Sequence, residues 1–115
     1  MVLEIRLIQG EGKTKTFIIK KNDEAIDLTE YANRSYSFII KEEKGEEDII
    51  IEKTNSDFIT DEEDDGKIKV NFNATETKID PKTYYGQLKV QLDNLSPSKN
   101  LDKSQVIDFV IEQEV

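Results

Sequence analysis

The chain has 115 residues, which fits one domain spanning 1–115 and a core that buries roughly two thirds of the surface its unfolded form exposes. It contains no cysteine and no histidine. This excludes disulfides, thiolate metal sites, cysteine nucleophiles and serine–histidine triads. Asp and Glu number 25 against 16 Lys and Arg, for a formal net charge of −9. That balance argues against nucleic acid and against an anionic membrane surface as partners, because both recruit Lys and Arg.

The N-terminal stretch Met1–Arg6 has no basic region and no long apolar run. The expectation is a protein made in a cytosol without a signal peptide. Leu3, Ile5 and Leu7 alternate with Glu4 and Arg6, the period of a half-buried strand. A turn follows at Gln9–Gly12. Phe17 and Ile19 then alternate with Thr16 and Lys20, with Ile18 out of pattern. Lys21–Glu24 reads as a hairpin tip leading to Ala25 and Ile26.

Asp27–Tyr31 predicts a single helical turn in which Asp27 and Thr29 flank a buried Leu28. Local bonds from those side chains to the backbone explain the pair better than a catalytic carboxylate and hydroxyl do. Tyr36, Phe38 and Ile40 mark the next strand, and the charged stretch Glu42–Asp48 reads as a solvated hairpin tip. Ile49 and Ile51 are expected to share a face of a strand ending near Lys53. The run Ile49–Ile51 is also the longest aliphatic one, far short of a membrane span.

Asp61–Asp65 followed by Gly66 offers clustered oxygen ligands for calcium. The spacing does not match an EF-hand loop, since Phe72 stands where the bidentate Glu belongs. A solvated turn between strands is the better reading. Gly66–Asn73 places Ile68, Val70 and Phe72 on one face. Ala74–Lys78 is a second candidate helical turn. In Thr83–Asp93, Tyr84, Gly86, Leu88, Val90 and Leu92 face inward, and Thr83, Tyr85, Gln87, Lys89, Gln91 and Asp93 face water. Leu95–Asn100 connects to a last strand carrying Ile107, Phe109 and Ile111.

No GxSxG elbow and no phosphate-binding glycine motif occurs, and no tryptophan is available for sugar stacking. Tyr85 alone is an ordinary exposed tyrosine. Paired carboxylates for glycoside hydrolysis would need a cleft that a small sandwich has little room for. No catalytic, cofactor-binding or metal residue is therefore assigned, and no enzyme is expected.

About seven strands, spaced roughly 10 to 15 residues apart, predict an all-β, antiparallel immunoglobulin-like β-sandwich of seven to eight strands, with a small barrel as the alternative. Asp80-Pro81-Lys82-Thr83-Tyr84 adds a local signature. A tyrosine opening a strand just after a turn is where such sandwiches place a corner tyrosine, bonded back to the upstream backbone.

Taken in order, the chain resembles one family. The features are Phe17-Ile18-Ile19, the hairpin tip, Ala25-Ile26-Asp27-Leu28-Thr29, Tyr36-Ser37-Phe38-Ile39-Ile40-Lys41, Gly66-Lys67-Ile68-Lys69-Val70, Pro81-Lys82-Thr83-Tyr84-Tyr85-Gly86-Gln87-Leu88 and Ile107-Asp108-Phe109-Val110-Ile111. Their order and spacing resemble the N-terminal immunoglobulin-like domain of phage baseplate upper proteins, over nearly the whole chain. Glu30 and Thr83 stand where the family often has glycine, which implies locally different turns. The resemblance implies a phage or prophage tail or baseplate structural protein, located in the virion. It would act as an assembly module on other tail proteins, as a homo-oligomer in the particle. The alternative is a carbohydrate-binding or adhesin-type sandwich module.

Overall fold

The computed structural model describes residues 3–45, 47–96 and 100–113, with Leu3 described by its backbone alone. Met1 and Val2, part of the predicted charged tip (Glu46) and part of the predicted connector (Pro97–Lys99) lie outside the described residues.

Among the described residues ten strands form: β1 (Leu3–Ile8), β2 (Lys13–Ile18), β3 (Lys20–Lys21), β4 (Glu24–Ala25), β5 (Asn33–Lys41), β6 (Ile51–Thr54), β7 (Phe58–Ile59), β8 (Lys67–Phe72), β9 (Thr83–Asp93) and β10 (Leu101–Glu112). Eight of them build a sandwich. One sheet runs β1-β10-β9-β5-β6 and the facing sheet runs β2-β8-β7. The ribbon β3-β4 turns through Asn22 and Asp23 at φ 54° and 64°, as a two-residue hairpin demands.

The alternating residues meet between the sheets. Phe38, Phe72 and Phe109 are fully buried. Phe38 lies 5.9 Å from Phe72 and 6.4 Å from Phe109, and Phe72 lies 5.2 Å from Phe109, ring centre to ring centre. Tilted contacts at this range suit the ring quadrupoles. Gly86 completes the packing. A Cβ built there would stand 3.2 Å from Phe38 Cζ and 2.8 Å from the Ile107 carbonyl oxygen.

Three expectations need correction. The pairing is not wholly antiparallel, since β1 runs parallel to β10, with Leu3 opposite Ile107 and Ile8 opposite Glu112. The two strands lie far apart in sequence, so no hairpin dictates their direction. Ile49 does not share the face of Ile51: it is 44% exposed, whereas Ile51 is buried and opens β6. The last strand begins at Leu101, directly after the predicted connector and six residues before its alternation sets in. Tyr85 and Gln87 are half-buried rather than freely exposed.

The Ala74–Lys78 segment forms successive turns. There the buried Thr77 hydroxyl lies 2.9 Å from the Glu11 carbonyl oxygen and 3.2 Å from that of Ala74. Neither Glu30 nor Thr83 adopts a positive φ, so the turns at those positions need no glycine.

Candidate functional site

The predicted acidic site is a turn between β7 and β8, with Asp61, Asp64 and Asp65 exposed and Glu62 and Glu63 half-buried. Glu63–Asp65 form a 3-10 turn that ends on Gly66, at φ 75°. Glu62 Oε1 accepts from Lys69 Nζ at 2.8 Å, with Lys67 3.6 Å from its other oxygen. Glu63 accepts the Tyr36 hydroxyl at 2.5 Å and faces Arg34 Nε at 3.4 Å. The hydrogen bond from Lys69 holds the Glu62 carboxyl below the usual range, and the same bond raises Lys69. Burial first, and Glu63 second, push the Tyr36 hydroxyl well above its usual range. These carboxylates are turned toward cations and a phenol, and among the described residues no three acidic side chains converge on a metal position.

Asp27 and Thr29 serve the local turn. Asp27 Oδ1 accepts from the Thr29 backbone N–H at 2.9 Å and from its hydroxyl at 2.5 Å. Tyr84 is the corner tyrosine: its hydroxyl donates to the Asp80 carbonyl oxygen at 2.7 Å. The residue separation and the position at the start of β9 are those the sequence motif requires.

The surface that remains unaccounted for lies where the two sheets part. β1 pairs with β10 only from Ile107 onward. Among the described residues, Leu101–Val106 therefore pairs with β9 on one side and with no strand on the other. β2 likewise pairs with β8 alone. Between these two open edges runs a groove of about 720 Å³, with Phe17, Ile19, Leu88 and Val90 contributing its apolar lining and Asp102–Gln105 one wall. Ile18, 49% exposed, stands on the open edge strand that borders the groove.

The edge strand beside the groove lies in a basic stretch of an acidic protein, although Asp102 lines the opposite wall. Lys13, Lys15, Lys20 and Lys21 fall in a nine-residue stretch without an acidic residue, and Lys103 stands across the groove. Partial burial lowers the Lys15 ammonium from its usual range, with Lys13 adding repulsion. The opposite flank is its inverse. The free edges there are β6 and β7, in a segment with twelve acidic residues and two lysines between Glu42 and Asp65. Ile49, Ile50 and Ile59 are exposed on that flank at 44%, 37% and 43%. Sequence reasoning missed the groove because its two walls are about ninety residues apart. The lysine stretch was the one signal in the sequence that could have marked it.

No family model matches the chain, and no curated protein matches it in sequence. Solved structures do match in fold. The extracellular domain of the voltage-gated sodium channel beta4 subunit aligns at TM-score 0.52 and 10% identity, over 99% of this chain and 93% of that one. That structure is described as a parallel homodimer that explains a role in cell-cell adhesion. The natural killer cell receptor NKp44 aligns at TM-score 0.52 and 10% identity, over 97% of this chain and 99% of that one. With the strand order and the corner tyrosine, these matches establish an all-β, immunoglobulin-like sandwich. At this identity they speak to the fold alone.

Proposed function

We propose that the chain is a structural assembly module of a phage or prophage tail, in the baseplate region of the virion, acting through protein–protein contacts and not through catalysis. The observation that carries the assembly reading is the pair of open strand edges flanking an apolar groove. Unpaired main-chain groups beside an apolar floor are what strand addition uses: the backbone supplies affinity and the side chains supply choice of partner. The phage context comes from the ordered resemblance of Asp27-Leu28-Thr29, Phe38-Ile39-Ile40-Lys41 and Tyr84-Tyr85-Gly86-Gln87-Leu88 to baseplate upper proteins.

The test is quantitative proteomics on tail particles induced from the source strain, referenced to a tail-tube subunit. A fixed stoichiometry divisible by three or six is expected. Absence from intact particles, with the protein free in the lysate, would overturn the tail reading. A second reading, an adhesin-type or carbohydrate-binding module, draws on the adhesion role described for the sodium channel neighbour. A glycan array would then give a positive signal that the assembly reading does not predict.

A further inference from the structure

We infer that the open groove receives the Glu47–Glu52 segment of a second copy of this chain, in a head-to-tail contact. The inference rests on the assembly reading and names its partner. Four observations converge on this occupant.

Length is the first. The half of β10 that among the described residues pairs on one side only, Leu101–Val106, and the segment Glu47–Glu52 are both six residues long. In extended form each spans roughly 20 Å. Chemistry is the second. The groove is floored by half-buried Phe17 and by the buried Ile19, Leu88 and Val90, and its rim carries Lys20 and Lys103 against the single acid Asp102. The segment presents Ile49 and Ile50, both exposed, between Glu47-Asp48 and Glu52. An apolar pair flanked by carboxylates complements an apolar floor flanked by ammonium groups.

Position is the third. β2 and β10 lie on one flank of the sandwich, and β6 and β7 close the opposite ends of the same two sheets. A contact between opposite flanks leaves both surfaces free at the ends of each pair. Such a heterologous interface repeats until it closes into a ring or grows as a filament. Selectivity is the fourth. Lysines on an edge strand discourage pairing of like edges. The stretch Lys13–Lys21 disfavours β2 against β2, and it attracts an acidic segment.

The test uses three forms of the whole chain in sedimentation velocity across a concentration series. The wild type is expected to gain mass with concentration past twice 13.3 kDa. Ile18→Glu places a carboxylate on the open β2 edge that borders the groove, and Ile49→Asn with Ile50→Asn strips the segment. All three residues are substantially exposed, so folding, checked by circular dichroism, is retained. If Ile18→Glu melts early, Ile18→Asn replaces it.

Each variant alone should lose association by about tenfold or more. Mixed in equal amounts, the two variants have one intact groove and one intact segment between them. They should form a dimer that grows no further. A wild type that stays monomeric overturns the inference. So does a wild type that stops at a dimer while the variant mixture stays monomeric, or variants that associate like the wild type. Association of the groove with an unrelated acidic peptide but not with a second copy also overturns it. Presence in tail particles without self-association sinks this contact alone, whereas self-association with absence from particles sinks only the tail reading.

Discussion

Replacing Gly66 with alanine probes how tightly the acidic turn is built into the fold. Gly66 is buried at φ 75°, and a Cβ there would stand 2.6 Å from the Ile26 carbonyl oxygen and 3.0 Å from that of Ile19. Both neighbours are backbone atoms held in place: Ile26 N–H donates to Ile19 O at 3.1 Å, and Ile19 N–H donates to Gly66 O at 2.7 Å. The left-handed conformation costs an alanine about 1–2 kcal/mol. Forcing a methyl group into a packed site adds about 1–3 kcal/mol. Reduced freedom of the unfolded chain returns about 0.4–1 kcal/mol. The net loss is therefore about 2–3 kcal/mol. A domain of this size has an unfolding entropy near 240 cal/mol/K, by the rule of about 2.1 cal/mol/K per residue, so Tm falls by roughly 8–12 °C.

Gly45 is the matched control. Its φ is +90°, yet nothing lies within 4 Å of the Cβ position. Gly45→Ala carries the conformational cost without the collision and should lose about 1 kcal/mol or less. Calorimetry of both variants is the assay. Equal shifts for the two, or a Gly66→Ala shift within about 2 °C of wild type, would refute the claim that this turn is locked against the β3-β4 ribbon.

The corner tyrosine predicts a smaller effect. Tyr84→Phe keeps the ring under Lys82 (5.2 Å to its centre) and deletes only the bond to Asp80, so urea titration should show a loss of about 1 kcal/mol with an unchanged slope. The ion pair of Glu62 with Lys69 predicts opposite signs at the two ends of the pH scale. The Glu62 carboxyl is lowered from 4.5 in the fold, so its contribution is present above that value and disappears as pH falls through the lowered one. The Lys69 ammonium is raised from 10.5, so its contribution is intact below that value and fades as pH rises through the raised one. The stability difference between wild type and Lys69→Gln should therefore shrink at both extremes in thermal melts, and a difference constant from acid to alkali would contradict the pairing.

Much of the sandwich was legible because one face of each core strand is buried. Ile68, Val70 and Phe72 in β8 and the inward row of β9 stand out by strict alternation, and all are buried. The corner tyrosine was legible for a related reason: its bond spans four residues and needs no distant partner. What alternation cannot show is a segment without a buried face. Among the described residues Leu101–Val106 pairs on one side only and none of its side chains is fully buried, so alternation marks this strand only from Ile107 on. Ile49 misled for the converse reason. It belongs to an aliphatic run, but it lies before the ladder begins at Ile51. The parallel pairing of β1 with β10 and the groove beside it both depend on contacts between opposite ends of the chain, and no local pattern encodes them.

Amide hydrogen exchange on the free protein and on the assembled form, whether tail particles or the self-associated chain, tests most directly whether the open edges are the working surface. In the free protein, Lys13–Ile18 and Leu101–Val106 should exchange at their outward amides while Ile107–Glu112, paired on both sides, stays protected. On assembly, protection should appear at the first two segments and at Glu47–Glu52. Protection that appears elsewhere on the sandwich, with these three segments unchanged, would contradict the account.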